Sequence, residues 1–465
     1  MELFRSLLEQ ANELLWSYVL VAVLLGCAIY FTLRSRFVQF RMIGEMLRVV
    51  GDSTSGGSGR QISSFQAFAV SLASRVGTGN LAGVAIAIAL GGAGAIFWMW
   101  VVALVGAASA FVESTLAQLY KRRNGESFVG GPAYYMESGL RARWMGVIFA
   151  ILISITFGFA FNSVQSNTIC GALEHSFGFD PSVVGVVLTL VTISVIFGGI
   201  GRIAKVSSVI VPIMALGYIL LALFVVVLNV RLIPSVVEQI VGGAFGWNQA
   251  MGGAVGAALN QGIKRGLFSN EAGMGSAPNV AATASVTHPV KQGLIQTLGV
   301  FVDTLLICSS TALIILVNQD RIDPSMTGIQ ITQQALTNEI GAVGGLFITF
   351  AILLFAFSSI IGNYYYGEAN VRFITSRRWA LLLYRVTVGA MVFIGAMVTL
   401  DDTIVFSDIM MALMTLCNLV AIVLLGDKAM RLLADYRSQR SRGVKSPEFK
   451  KSDVEELNTP DVECW

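Results

Sequence analysis

The residues best able to do chemistry lie where an apolar chain should carry none. Ser71–Ala89 reads SLASRVGTGNLAGVAIAIA and places Arg75, Thr78, Asn80 and three glycines inside a run long enough to cross a bilayer. An Arg at mid-membrane costs about 2.5–3.5 kcal/mol on insertion scales. Each Gly costs a further ~1 kcal/mol relative to Ala in a helix. Two readings follow: a glycine-rich packing face, or a helix interrupted in mid-membrane whose freed backbone groups face a polar ligand. Gly77–Ala82 also fits the GxGxxA dinucleotide pattern, which needs a preceding strand and a βαβ unit. An all-apolar context supplies neither.

A second stretch breaks the same rule. GIKRGLFSNEAGMGSAPN (262–279) holds Lys264, Arg265, Glu271, four Gly and Pro278, too many for a continuous membrane helix. Asn80-Leu81-Ala82-Gly83 aligns with Asn270-Glu271-Ala272-Gly273 at an offset of 190. Two helices broken at matching places make a binding chemistry. The half-helix starting near Asn80 offers unpaired N–H groups to a carboxylate. The half-helix ending near Ser74 offers carbonyls to a sodium ion or an ammonium group. Arg75 reads as a carbonyl clamp or as a gate. Glu271 is expected to pair with Arg75 or Arg265, and Phe268 and Ser269 to line the pocket, Ser269 as a candidate ion ligand. Phe157, Phe161 and Gln165 share one helical face, as a site wall or as packing. Ser358 and Ser359 present hydroxyls either to a hard cation or to i−4 carbonyls. Asp303 reads as a mid-depth ion or proton group, and Glu113 as structural.

The elements that must position these residues are membrane spans. The chain has 465 residues, 55% hydrophobic and only 13% charged, where a soluble protein carries about 25% charged residues; mean hydropathy is +0.72. A net charge of +3 argues against a nucleic-acid partner. Cys27, Cys170, Cys308 and Cys417 lie in apolar runs and Cys464 in the tail, with no CxxC spacing. His175 and His288 form no metal-ligand pair. No nucleophile–base set appears, so an enzyme is not expected, nor any cofactor beyond a coupling ion. Met1–Glu13 lacks the basic start of a cleaved signal.

Runs of about 20 apolar residues mark spans. Eleven are expected, near 16–33, 64–90, 94–120, 145–172, 182–200, 206–229, 250–286, 292–317, 343–370, 378–399 and 403–426. Alternate connections hold 24 Lys and Arg against 3, which puts the N-terminus outside and the C-terminus in the cytoplasm. The fold expected is all-α and polytopic. One extra first helix precedes five-helix repeats at 64–229 and 250–426, inverted relative to each other, with breaks in spans two and seven. The transport-size membrane domain is 1–435. Phe37–Val50 reads as an amphipathic cytoplasmic helix, 51–59 as a flexible link, and 436–465 as a disordered tail.

These residues resemble the alanine/glycine:cation symporter family, which has the leucine-transporter fold. The resemblance covers nearly the whole chain, through RFVQF (36–40), ASRVGTGNLAGVA (73–85), GGAGAIFWMW (91–100), GGPAYYM (130–136), FSNEAGMGSAPN (268–279) and FAFSSIIGNYYYGE (355–368). One departure is Gly92-Ala93-Gly94 where the family usually has GGPGA, a matter of loop stiffness. The resemblance implies sodium-coupled uptake of alanine or glycine by a monomer in the lipid bilayer of a bacterial inner membrane. It implies the substrate carboxylate on Gly77, Thr78, Gly79 and Asn80, beside Phe161 and Gln165. The amine would meet carbonyls around Phe268, Ser269, Asn270 and Gly273. Sodium would take Ala73, Val76, Ser358 and Ser359. Glutamine preference, a proton-coupled carrier using Asp303, and a passive channel stand as alternatives.

Overall fold

The computed structural model describes residues 10, 12–53, 62–125, 127–246 and 252–465. The expected link at 51–59 and the segment Met1–Glu13 fall largely outside these residues. Among the described residues the regular structure is helical apart from one hairpin, β1 (Arg122–Asn124) against β2 (Ser127–Val129), antiparallel with Arg122 opposite Val129.

Helix α1 (Asn12–Arg34) is followed by α2 (Ile43–Ser53), the amphipathic segment. Next come α3 (Ser64–Arg75) and α4 (Gly79–Gly91), two halves bent by 48°. The chain continues through α5 (Gly94–Leu119), α6 (Pro132–Leu140), α7 (Arg143–Phe177), α8 (Pro181–Ile196), α9 (Gly199–Leu228) and α10 (Ile233–Phe245). The second interrupted segment is α11 (Gly252–Asn270) and α12 (Pro278–Ala281). Then follow α13 (Pro289–Val317), α14 (Ile329–Ile340), α15 (Ala342–Ile374), α16 (Arg378–Met397) and α17 (Leu400–Ser441). Among the described residues, eight of these are long and apolar enough to cross a bilayer, nine with α3–α4 taken as one. The 16-residue α8 is too short to qualify, and α11 carries Lys264 and Arg265.

Both breaks are built by local chemistry. Helix α3 starts on a capping box: Ser63 Oγ accepts from Gln66 N at 3.1 Å and Gln66 Oε1 from Ser63 N at 3.0 Å. It ends where Val76 turns extended, and Asn80 Oδ1 accepts Gly77 N–H at 2.9 Å. A side chain thereby replaces the missing rung of the ladder. Helix α11 ends at Glu271, whose φ is +57°, and the left-handed turns continue at Gly273 (φ +81°) and Gly275 (φ +85°). Asn270 Oδ1 accepts from Ala272 N at 3.0 Å. Glu113, on α5, accepts from Gly273 N at 3.2 Å and Gly275 N at 3.0 Å.

Helix α5 can do this because it packs against both α11 and α13. At Gly262 a Cβ would stand 2.4 Å from Ala95 O, so the α11 and α5 backbones touch directly. Asn418 of α17 bridges the same knot, donating to Glu113 at 2.8 Å and to Gly273 O at 2.9 Å while accepting the Tyr135 hydroxyl.

The tail departs from its composition-based expectation. Helix α17 runs to Ser441, and within 445–465 Phe449, Leu457 and Val462 are buried. Few apolar residues suffice because each is spent on a contact, and two of the acidic residues pair with the body, Glu456 with Arg431 and Glu463 with Arg122.

Glu113→Ala strands two buried amides, each costing about 1–3 kcal/mol. The variant is expected to lose about 2–6 kcal/mol of stability, read as a lowered thermal midpoint in detergent, and Glu113→Gln, which keeps one acceptor, to lose less. An unchanged midpoint in Glu113→Ala contradicts this account of the break.

Candidate transport site

The two breaks face each other across a small buried polar cluster. From the α3 side, the carbonyls of Ala73 and Val76 point at Ser359 on α15. Its Oγ lies 2.9 Å from Ala73 O, 3.3 Å from Val76 O and 3.1 Å from Phe355 O. Three carbonyl oxygens from two helices therefore converge on one hydroxyl, at the negative end of α3. Ser358 behaves differently, donating only to Phe355 O within its own helix, at 2.8 Å.

From the α4 side, Thr78 N and Thr78 Oγ1 both donate to Gln165 Oε1 on α7, at 3.0 and 2.7 Å. An amide oxygen occupies the position that helix-end N–H groups offer to an anion. Gly77 is fixed by space: a Cβ there would lie 2.2 Å from Ser359 Oγ and 2.8 Å from Gln165 Oε1. Gly79 packs against Phe268 and Ser269, with a Cβ 3.1 Å from each. Phe161 and Phe268 meet with ring centroids 4.6 Å apart, and Phe157 backs Phe161 at 4.7 Å.

Asp303 of α13 ties the halves together. Its carboxylate accepts from Asn80 Nδ2 at 2.7 Å, Ser269 Oγ at 2.7 Å and Thr304 Oγ1 at 3.0 Å. Asn270 instead turns to Thr304 Oγ1, at 3.2 Å. Gly273 is held by Glu113 and packs on Ser109 and Leu419. None of those contacts belongs to the wall of Phe161 and Gln165.

Neither expected pairing of Glu271 forms. Its carboxylate takes the hydroxyls of Ser74 at 3.1 Å and Ser276 at 2.6 Å. Arg265 goes with Lys264 to Asp408 on α17, at 2.6 and 2.8 Å. Arg75 is 2% exposed and donates to Gln296 O of α13 at 3.2 Å, while its Nε and Nη2 meet no acceptor. That bond joins it to a neighbouring helix, and Gly299 makes the room, since a Cβ there would lie 2.5 Å from Arg75 Nη1.

The sequence profile of the sodium:alanine symporter family matches residues 1–451. The chain belongs to this family. Its members are transporters, not enzymes, and the helices above make this one a multi-pass membrane protein. The family member is similar to the amino-acid carrier protein AlsT of Bacillus subtilis (strain 168), 52% identical over 99% of this chain and 98% of that one. It is also similar to the probable sodium/glutamine symporter GlnT of the same organism, at 50% identity over 98% and 95%. Among solved structures, MhsT in complex with L-phenylalanine matches with a TM-score of 0.58 at 16% identity, covering 78% of this chain and 89% of that chain. That likeness shows the fold.

Sequence reasoning read Glu113 as structural without its partners, and it missed Gln296, Asp408 and Asn418. The signal for Asp408 was present, since a lone carboxylate within an apolar run is costly unless paired.

Gly77→Ala is expected to lower sodium-driven alanine uptake by at least tenfold. Gly83→Ala, whose Cβ would meet only Thr78 O at 3.7 Å, should keep most of it. Equal uptake by the two variants in proteoliposomes contradicts the close approach at Gly77.

Proposed function

We propose that this symporter carries small neutral amino acids, alanine and glycine first, together with sodium into the cell. The observation that carries this is the convergence of Ala73 O, Val76 O and Phe355 O on the Ser359 hydroxyl, on the other side of Gly77 from Gln165 Oε1 and the Thr78 N–H it accepts. Oxygens alone suit a hard cation, and a helix N-terminus beside them suits a carboxylate. Sodium and substrate therefore share one broken helix. Ser359 turns its lone pairs to the ion, and Ser358, one residue away, rotates off Phe355 O to join it. Gln165 Oε1 stands in for a substrate carboxylate oxygen and yields Thr78 N–H when substrate arrives. The amine meets the carbonyl end of α11 at Phe268–Asn270. Phe161 and Phe268 close over the side chain, which favours a small one.

Support for eleven spans comes from adding α8 and the α11–α12 pair to the nine that qualify by length. The two breaks then fall in the first helix of each five-helix group, and five being odd, the groups are inverted. Rocking one group against the other gives alternating access. The positive-inside count supports an external N-terminus and a cytoplasmic tail, in a bacterial inner membrane, with the monomer as the working unit.

Two further readings have specific support. The relative named as a glutamine symporter makes a longer amide substrate the rival to alanine. Asp303, bonded to both breaks, makes proton coupling the rival to sodium.

Labelled alanine uptake into proteoliposomes should rise at least tenfold with an inward sodium gradient; indifference to sodium overturns the proposal. Ser359→Ala should remove most of the sodium stimulation and Ser358→Ala less. Asp303→Asn should leave the pH profile of uptake unchanged, whereas loss of an existing pH dependence in that variant favours the proton-coupled reading.

A further inference from the structure

The family profile ends at residue 451, yet the structure continues in contact to Trp465. Besides the ion pairs of Glu456 and Glu463, the tail after α17 has two aromatic anchors on the body. At the first, Phe449 N donates to Thr287 O at 2.8 Å, Thr287 Oγ1 to Pro447 O at 2.8 Å, and Lys291 Nζ to Ser446 Oγ at 2.8 Å. The Phe449 ring lies 5.7 Å from that of His288. At the second, Trp465 Nε1 donates to Gln118 O at 2.9 Å, and Lys121 Nζ sits 4.4 Å from the Trp465 ring centroid and 4.2 Å from that of Phe128. Phe449 and Trp465 then meet each other at 5.7 Å, so the two anchors are one unit. Leu457 and Val462 fill the arc between them, each 1% exposed.

The strap is fastened to the end of the stretch 281–288, at Thr287 and His288, and to Gln118 and Lys121, which hold the same stretch. This stretch connects α12, the inner half of the seventh span, to α13. Gln118 Nε2 holds Ala281 O and Ala284 O, and Lys121 reaches Ala284 O at 3.4 Å. Ser285 N donates to Ile62 O at 3.0 Å, which ties in the residue just before the inner half of the second span. The same few residues thus join the inner ends of both broken helices. An inward opening that separates those halves has to break these contacts, and the strap is fastened to the same stretch.

We propose that residues 445–465 are a latch that holds the inner ends of the second and seventh spans together, and that its release accompanies inward opening. The latch raises the free energy of the inward-open state by the contacts it loses there, and so sets the balance between the two faces of the carrier. It needs no partner and no modification: the aromatic anchors at Phe449 and Trp465 are the bistable contact. Substrate binding at Gly77–Asn80 is left untouched.

The proposal rests on the alternating-access reading, so two arms are needed. In the first, hydrogen exchange compares the full chain with the variant Phe449→Ala plus Trp465→Ala. Amides of 281–288 should exchange at least tenfold faster in the variant, with α8 unchanged; equal exchange at 281–288 overturns the latch without any appeal to transport. In the second, Thr287→Cys and Pro447→Cys are joined by oxidation in a Cys464→Ser background. Net alanine uptake should fall at least fivefold and return on adding dithiothreitol. Uptake at the unlinked rate in the oxidised protein overturns the role in opening. Absence of uptake in the parent chain overturns the transport reading instead.

Discussion

A helix cannot be interrupted inside a bilayer unless every freed N–H and C=O finds another partner. That constraint organises this molecule. Two segments give up helical bonding, at Val76–Gly77 and at Glu271–Ala277, and most of the buried polar residues nearby answer for it. Asn80 returns a bond to Gly77. Glu113 gathers the amides of Gly273 and Gly275, and Asn418 covers the carbonyl of Gly273. The groups left over, the carbonyls of Ala73 and Val76 and the amide of Thr78, are held only by Ser359 and Gln165, hydroxyl and amide groups that can turn. The permanent partners belong to the scaffold and the exchangeable ones to the site.

Charge follows the same division. Glu113, Glu271 and Asp303 are buried near Arg75, which acts on all three electrostatically but hydrogen-bonds Gln296 O. Each carboxylate is instead satisfied by neutral donors: amides for Glu113, hydroxyls for Glu271, and a mixture for Asp303. Truncating one partner of a direct buried pair would leave a bare charge at a cost of about 3–5 kcal/mol. Direct buried pairing is kept for Lys264 and Arg265 on Asp408, one turn before Phe268 on α11.

Much of this was legible in the sequence because breaking a membrane helix leaves a local mark. Gly, Asn and a charge within an apolar run locate both breaks, and the 190-residue offset pairs them. Ser359 meets the carbonyls of Ala73 and Val76, while Ser358, grouped with it in the sequence reading, stays bonded within its own helix. What could not be read were partnerships across long separations. Glu271 was offered two arginines and took neither, because Ser74 and Ser276 lie closer and cost nothing to desolvate as ions. Arg75 donates to a carbonyl 221 residues away, a choice fixed by the gap at Gly299. The tail looked disordered because composition counts apolar residues without knowing that Phe449, Leu457 and Val462 all reach the body.

The central claim is that cation and substrate share one interrupted helix, so each must strengthen the other's binding by an equal factor. Titrating purified protein with alanine at several sodium concentrations, and with sodium at several alanine concentrations, tests it directly. Alanine affinity should rise at least tenfold with saturating sodium, and sodium affinity should rise by the same factor with saturating alanine. Alanine affinity that does not change with sodium would contradict the account.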